Sequence, residues 1–301
     1  MRINNNITAI NSHRQYGINN KNIGKNVEKL SSGYRVNRAA DDAAGLAISE
    51  KMRSQIRGLT MASKNSQDAV SLVQTAEGGM QTIQNILQRM RELAVQSASD
   101  TNQNTLDRQA LQLEVDQLIL EIDQIADTTE FNKMKLLNGT GAIMGATGCG
   151  SVFGSVSGGV IQVGANYNQT MSIYINNMSA TGLNVWQLHS GAMGSAAQII
   201  GSGGIGVQMS AANAISIIDV ALSSVSLERA RLGAYQNRLE YKIENLDNQA
   251  ENVQAAESRI RDVDMAKMMT EFTKNNILFQ ASTAMLAQAN ALPQGVLQLL
   301  G

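Results

Sequence analysis

An apolar residue recurs at every seventh position in the last third of the chain, and this repeat constrains the fold more than any other feature. The positions are Ile218, Val225, Leu232, Leu239, Leu246, Val253 and Ile260. Such a heptad is typical of a helix that packs lengthwise against other helices. The companion positions four residues later, such as Leu222 and Arg229, are mixed. A helix of about fifty residues is about 75 Å long at 1.5 Å per residue, so the sequence predicts an elongated, coiled-coil-like helical bundle.

The same period appears in the N-terminal half of the chain. Small or apolar residues alternate at spacings of four and three, at Ala69, Val73, Ala76, Met80, Ile83, Leu87, Met90 and Ala94. After the polar stretch "SDTNQN" the period returns at Leu111, Val115, Leu118, Ile122 and Ile125. Asp41 and Asp42 precede the first run as candidate N-caps. Two long helices that fold back on each other are therefore predicted.

The middle of the chain is rich in glycine, and one segment within it has the period of a strand. Met171, Ile173 and Ile175 alternate with Ser172 and Tyr174, which indicates a half-buried β-strand. Together with the preceding turn signals it predicts a small β-hairpin near residues 160–176. The fold class expected is mainly α with this one hairpin region.

Both ends of the chain carry weaker apolar stripes. One stripe comprises Ile3, Ile7 and Ile10, and the other comprises Ile277, Ala281, Met285, Ala289 and Leu292. We expect these segments to pair as two helices that leave an apolar face in water, which usually marks an interaction surface. The only proline, Pro293, is expected to end the last helix. An apolar tail with Leu297, Leu299 and Leu300 follows it.

The composition gives little support to catalysis or to charged partners. The formal net charge is -1, with two histidines and one cysteine, Cys149, so neither nucleic acid nor a membrane is expected as a partner. We predict no catalytic, cofactor or metal site. The segment "GSGGIG" fits G-x-G-x-x-G, but a long helix follows it with no later strand. A nucleotide-dependent enzyme built on this loop remains an alternative.

Long runs at both ends resemble bacterial flagellin, the subunit of the flagellar filament. At the N-terminal end they include "MRINNNITAINSHRQ", "KLSSGYRVNRAADDAAGLAISEKMRSQIRGL" and "QDAVSLVQTAEGGMQTIQNILQRMRELAVQSAS". At the C-terminal end they include "AESRIRDVDMAKMMTEFTKNNILFQASTAMLAQAN" and "LPQGVLQLL". The resemblance implies a structural, self-assembling protein rather than an enzyme. It also implies export through the flagellar secretion channel without a cleaved signal peptide.

The resemblance also implies a domain organisation. Segments 1–42 and 259–301 correspond to an inner helical domain that pairs on polymerisation. Segments 43–185 and 207–258 correspond to a rod domain, and 186–206 to a glycine-rich remnant of the variable outer region. The polymerisation residues expected are apolar and terminal: Ile3, Ile7, Ile10, Ile277, Met285, Leu292, Leu297, Leu299 and Leu300.

Several partners follow from the same resemblance. They are further copies of the chain, an export chaperone at the C-terminal segment, and filament cap and hook-junction proteins. Glu92 and Leu93 lie three and four residues after Arg89, which predicts that they share one helical face with it outside the predicted seam. The matching segment in many flagellins binds Toll-like receptor 5 of an animal host, with Glu114 as a further contact. On periodicity alone the same face is a solvated, salt-bridged stripe.

Two other structural proteins fit parts of the pattern. A hook-filament junction protein is also built from long helices, and a non-polymerising coiled-coil adaptor would have well-ordered termini in the monomer. The filament subunit is favoured because the family-like runs cover both ends of the chain.

Overall fold

The computed structural model describes residues 6–99, 105–139, 157–189 and 208–300. The helices are α1 (Ile7–Ser32), α2 (Ala43–Ala98), α3 (Thr105–Thr128), α4 (Gln208–Arg261) and α5 (Met265–Leu300). The strands are β1 (Glu130–Phe131), β2 (Met134–Lys135), β3 (Ser157–Gln162) and β4 (Thr170–Ile175), and a short 3-10 helix spans Val185–Leu188. The predicted fold class, mainly α with a small hairpin region, is confirmed. Ile3, Cys149 and "GSGGIG" lie outside the described residues.

The chain divides into two compact units. The terminal unit comprises Met1–Ile56 and Ala250–Gly301, and the central unit comprises Arg57–Gln249. Each is described separately below. The boundaries expected at residues 42 and 259 separate an inner domain from a rod domain by their role in the filament. They stay a prediction.

The central unit is organised around the predicted seams. All eight seam positions of α2 from Ala69 to Ala94 are at most 3% exposed. The heptad positions of α4 from Ile218 to Leu246 are equally buried. Each fully buried Leu, Ile or Met side chain contributes about 1.5–3 kcal/mol relative to an exposed one. The seam side chains of α2 and those of α4 from Ile218 to Leu239 form one continuous core with α3 and β4.

The companion seam of α4 differs from the expected one. Leu222 and Arg229 are only half-buried, whereas Ala221 and Glu228 are at most 1% exposed. For Ile218 and Val225, the buried companions therefore lie three residues after the heptad position. A heptad permits companions at a spacing of either three or four, and the positions of the neighbouring helices decide which is buried. In α3, Ile119 and Ala126 are likewise buried more deeply than Leu118 and Ile125.

The predicted hairpin is present. Strands β3 and β4 pair antiparallel from Ser157 opposite Ile175 to Gln162 opposite Thr170. Met171, Ile173 and Ile175 are buried, and Tyr174 is exposed, as the alternation predicts. A second, smaller hairpin, β1–β2, was not expected. Its turn residues Asn132 and Lys133 have φ values of 50° and 64°, the conformation of a type I′ turn.

The helix termini follow ordinary capping chemistry, with one exception. Asp42 caps α2 as predicted, since its Oδ1 accepts from Gly45 N at 2.8 Å. Gly33 ends α1 with φ 73°, and its N–H donates to Lys29 O. The expectation that Pro293 ends the last helix is wrong, because α5 continues to Leu300. A proline removes only one backbone donor, and the flanking residues continue the helix.

Helix α4 is apolar as well as long. By length and composition alone, Ala211–Arg261 could cross a membrane, with a mean hydropathy of 1.3 in its most apolar window. Its heptad side chains from Ile218 to Leu246 are instead buried in the core of the central unit. One helix that passes by length and composition alone is weak evidence for a membrane span.

Candidate interaction surfaces

Helices α1 and α5 pack against each other in the terminal unit, and polar side chains take part in the contact. The Asn19 Nδ2 atom donates to Ser282 Oγ at 2.8 Å and to Leu278 O at 3.3 Å. The rings of Tyr16 and Phe279 lie 4.9 Å apart between centroids. The predicted pairing of the two terminal helices is therefore present. Buried apolar side chains are scarce in this unit: among its described residues only Val36 and Ala289 belong to that class.

The apolar side chains of this helix pair mostly face outward. Ile7, Ile10, Ile277 and Met285 are exposed to 61%, 62%, 60% and 62%; we call these four residues the terminal apolar surface. Several other large apolar residues on the same helices are also exposed. The side chains of Leu292, Leu297, Leu299 and Leu300 lie outside the described part of the chain. Large exposed apolar patches are uncommon on monomeric proteins and usually mark interaction surfaces.

A set of contacts joins the segment after α1 to the segment after α4. The Arg35 N–H donates to Arg261 O at 2.7 Å, and the Val263 N–H donates to Gly33 O at 3.0 Å. The Arg261 guanidinium lies 4.8 Å from the Tyr34 ring centroid and 2.7 Å from a carboxylate oxygen of Glu50. Hydrogen bonding from Arg261 holds the pKa of Glu50 below its ordinary value. These contacts position the first residues of α5 against the end of α1.

The predicted receptor-binding face carries a small ion network in the central unit. Arg89 lies 2.8 Å from Glu114 of α3 and 3.1 Å from Glu92 of its own helix. Hydrogen bonding to Glu114, and then to Glu92, raises the pKa of the Arg89 guanidinium. The side chains of all three residues are at least 42% exposed. The fold thus brings Glu114 of α3 beside Arg89 and Glu92 of α2.

Leu93 lies elsewhere than predicted. It is 1% exposed, so the expectation that it shares an outward face with Arg89 and Glu92 is wrong. Helix α2 has neighbours on two sides: Arg89 contacts Glu114 of α3, and Arg91 lies 2.7 Å from Asp219 of α4. Two neighbours widen the buried arc of a helix beyond a single seam. Leu93 falls inside that wider arc.

Sequence analysis missed Glu228, a buried carboxylate in α4. It is 1% exposed, and its oxygens accept from Asn176 N at 3.2 Å and Asn176 Nδ2 at 2.9 Å. Arg231 is 2.8 Å away. These bonds attach the end of β4 to α4. A glutamate in a long charged helix looks like a solvated residue, and the only available signal was its position in the heptad.

His189 is the histidine nearest to a carboxylate. Its Nδ1 atom lies 3.2 Å from Asp116 Oδ1, and its ring stacks on Trp186. Asp116 also accepts from the side-chain amide of Gln112 at 2.9 Å. Within the described ranges no group of three His, Cys, Asp or Glu residues is arranged to hold a metal ion. The pair is a polar contact between the buried Asp116 of α3 and the half-buried His189 in the segment that follows the hairpin.

Comparison with known protein families identifies these helices. Residues 3–142 match the model of the bacterial flagellin N-terminal helical region, and residues 215–300 match that of the bacterial flagellin C-terminal helical region. The chain belongs to the bacterial flagellin family. This flagellin is 52% identical over 312 residues to the flagellin of Bacillus subtilis (strain 168), with both chains fully covered. It is 48% identical over 300 residues, again in full, to the flagellar filament 31.3 kDa core protein of Treponema maltophilum.

A solved structure is also similar. The crystal structure of Bacillus cereus flagellin is 31% identical, with a TM-score of 0.46, and the match covers 64% of this flagellin and 94% of that chain. Family membership makes this protein a structural subunit of the extracellular flagellar filament, which is a homopolymer. The family is structural rather than enzymatic.

Proposed function

We propose that the terminal apolar surface, Ile7, Ile10, Ile277 and Met285, is the part of this flagellin that polymerises. The observation that carries the proposal is the contrast in burial within the terminal unit. Four large apolar side chains of its helix pair are at least 60% exposed, and few others are buried beneath them. Covering such side chains with neighbouring copies removes apolar area from water at about 25 cal/mol per Å².

The geometry of the assembly follows from a repeated contact that does not close. A head-to-tail contact of this type generates a helical filament. We extend the polymerisation surface to Ile3, Leu292, Leu297, Leu299 and Leu300, because these residues continue the apolar pattern at both ends of the chain. Helix α5 reaches Leu300, so its backbone carries the last leucines as part of the helix.

Sedimentation and negative-stain electron microscopy test the proposal. The full chain is compared with a version that lacks residues 1–40 and 260–301. Filaments from the full chain alone are the expected result. Monodisperse particles from both chains would favour the coiled-coil adaptor, which buries its apolar residues within one molecule.

Substitution at one position gives a sharper test. Met285→Lys places a charge where a neighbouring copy is expected, whereas Met285→Leu keeps an apolar side chain of similar helix propensity. We expect Met285→Lys to raise the critical concentration for polymerisation at least tenfold, because burying an unpaired charge is costly. Met285→Leu should polymerise like the unchanged chain.

A hook-junction role predicts that the chain does not restore long filaments in a bacterium that lacks its filament subunit.

The proposal includes the other partners implied by the family resemblance. They are an export chaperone that binds the C-terminal segment and the filament cap and hook-junction proteins, with export through the flagellar secretion channel without a cleaved signal peptide. The exposed apolar residues Ile277 and Met285 support a chaperone, since an unassembled α5 needs a cover. Deleting residues 265–301 should abolish chaperone binding in a pull-down with both purified proteins.

We further propose that the unassembled chain binds Toll-like receptor 5 through Arg89, Glu92 and Glu114. The supporting observation is the exposed network that joins these residues across α2 and α3. A guanidinium held between two carboxylates has its side chain ordered before binding, which lowers the entropic cost of association. Leu93, the fourth residue predicted for this site, is buried and is not part of the proposed contact.

Surface plasmon resonance with the receptor ectodomain tests this second proposal. Arg89→Ala should weaken binding about tenfold or more, since arginines at the centre of interfaces commonly contribute at least 1–2 kcal/mol. Arg91→Ala is the matched control, because Arg91 is similarly exposed on the same helix but pairs with Asp219 instead. Equal losses in both variants, or no loss in Arg89→Ala, would contradict the proposed site. The Leu93→Ala variant must also be tested by thermal melting. Leu93 is buried, so a loss of receptor binding in this variant could come from a loss of stability.

A further inference from the structure

Helix α5 contains one interior backbone carbonyl, before its last turn, that its own helix leaves without the usual donor. Each interior carbonyl of an α-helix accepts from the N–H four residues later. Pro293 has no N–H, it lies inside α5, and it is the only proline of the chain. The carbonyl concerned is therefore that of Ala289, which is 6% exposed. A buried carbonyl without a donor destabilises the helix that contains it.

An asparagine side chain from the other end of the chain supplies a donor for the Ala289 carbonyl. Asn6 Nδ2 donates to Ala289 O at 2.7 Å. The other amide atom of the same side chain, Oδ1, caps α1 by accepting from Ala9 N at 3.1 Å and from Thr8 Oγ1 at 2.6 Å. One asparagine thus starts α1 and completes the hydrogen bonding of α5.

We propose that Asn6 is a positioning residue that sets the register of α1 along α5, by supplying the donor that Pro293 lacks. Apolar packing alone specifies this register weakly, since the terminal unit has so few buried apolar side chains. A slip of one helical turn would place the Asn6 amide opposite a carbonyl that already has its N–H partner, and Ala289 O would have none. Polar groups at helix interfaces select one register for this reason. Asn19, with its bonds to Leu278 O and Ser282 Oγ, favours the same alignment.

This inference rests on the proposed function, because register matters most if the terminal helices form the polymerisation surface. A double-mutant cycle tests it. Asn6→Asp keeps the capping oxygen but removes the amide donor, and both residues are good N-caps. Pro293→Ala restores a backbone N–H for Ala289 O. The four chains are the unchanged protein, each single variant and the double variant, and the measurement is the critical concentration for polymerisation.

We expect Asn6→Asp to raise the critical concentration about fivefold in the unchanged background, as loss of one ordinary hydrogen bond implies. In the Pro293→Ala background the same change should have less than about a twofold effect, because the carbonyl then has its own donor. A variant that polymerises only with Pro293→Ala present also supports the inference. Equal effects in both backgrounds, including loss of polymerisation in both, overturn it.

A cross-linking experiment measures the register directly. In a Cys149→Ser background, cysteines at Tyr16 and Phe279, whose rings touch, report the observed register. Cysteines at Tyr16 and Thr283 report a slip of about one turn. Asn6→Asp should lower the yield of the first cross-link and raise that of the second, and unchanged yields overturn the inference. If the unchanged chain forms no filaments, the polymerisation proposal fails, while cross-linking of the dissolved chain still decides the register.

Discussion

The helix pair of the terminal unit and the bundle of the central unit are made of similar residues but are held together differently. In the bundle, the seams of α2 and α4 are buried almost completely. In the helix pair, Asn6 and Asn19 of α1 donate hydrogen bonds to α5, and many large apolar side chains are exposed. The seams of the bundle are covered within one chain, whereas the pair leaves large apolar side chains exposed, and we propose that other copies cover them.

This contrast separates two uses of an apolar heptad. Hydrophobic burial within one molecule gives stability that is independent of concentration, whereas burial between molecules gives stability that depends on concentration by mass action. A filament subunit needs both kinds of burial. Burial within the molecule stabilises its fold, and burial between molecules slows its dissociation from the polymer. The following predictions test that division, beginning with the largest expected effect.

Loss of a central seam side chain should destabilise the isolated molecule most. Leu87→Ala is expected to lower the free energy of unfolding by about 2–5 kcal/mol, because it leaves a cavity at a position with 0% exposure. Ile10→Ala should change it by less than about 0.5 kcal/mol. Urea denaturation of the unassembled protein measures both, and Leu87→Met is the volume-conserving control. Comparable losses at Leu87 and Ile10 would contradict the division between the two units.

Removal of the buried carboxylate of α4 should have the next largest effect. Glu228→Ala deletes the acceptors for Asn176 N and Asn176 Nδ2 and should cost about 1.5–3 kcal/mol, the range for hydrogen bonds to a charged group. Glu240→Ala is the control, since Glu240 is exposed on the same helix. Denaturation curves followed by tryptophan fluorescence give both values. A similar loss for both variants would show that helix propensity, rather than the anchored hairpin, is measured.

Two adjacent glycines of α2 should respond in opposite directions. A methyl group added at Gly78 meets nothing within 4 Å, so Gly78→Ala should stabilise the protein by about 0.5–1 kcal/mol. At Gly79 the methyl group would lie 2.8 Å from both Leu137 Cδ1 and Thr129 Oγ1, so Gly79→Ala should destabilise by about 1 kcal/mol through overpacking. Thermal melting of the two variants side by side decides this. Equal stabilisation would mean that the core around β2 is looser than described.

The smallest expected effect is a loss of stability in the terminal unit at acid pH. The pKa of Glu50 is lowered by its bond to Arg261. The ionised Glu50 side chain therefore stabilises the fold fully above the ordinary glutamate pKa of about 4.3. This contribution is lost as the pH falls through the lowered pKa of Glu50 in the folded state. Amide protection of Arg35 and Val263, corrected for intrinsic exchange, should fall over that acid range. Glu50→Gln should remove this pH dependence, and a dependence that persists in the variant would assign it to another group.

Much of the central unit could be predicted from the sequence because its helices obey a simple period. The seam of α2 and the heptad of α4 lie where the spacing placed them, and so do the inward residues of β4. The companion seam of α4 and the burial of Leu93 could not be predicted. Both depend on the number and direction of neighbouring helices, which a linear period does not contain.

The candidate sites show the same limit. Arg89 and Glu92 were readable as neighbours on one helix because they lie three residues apart. Glu114 was placed beside them only by the family resemblance, and the fold supplies the actual contact. The bond between Asn6 and Ala289 had no sequence signal, since the two residues lie at opposite ends of the chain.

The sequence by itself determined the helices, the long seams and the hairpin, because these follow from local spacing and residue type. The long runs at both ends of the chain, rather than any residue period, carried the resemblance to the flagellin family. The sequence also determined that the chain ends carry more apolar residues than one helix pair can cover. The tertiary structure alone decided that α5 continues through Pro293, that Leu93 is buried and Glu228 is anchored, and that Asn6 faces Ala289. Each of these depends on which groups meet across helices, and long-range contact is the information that a residue period does not carry.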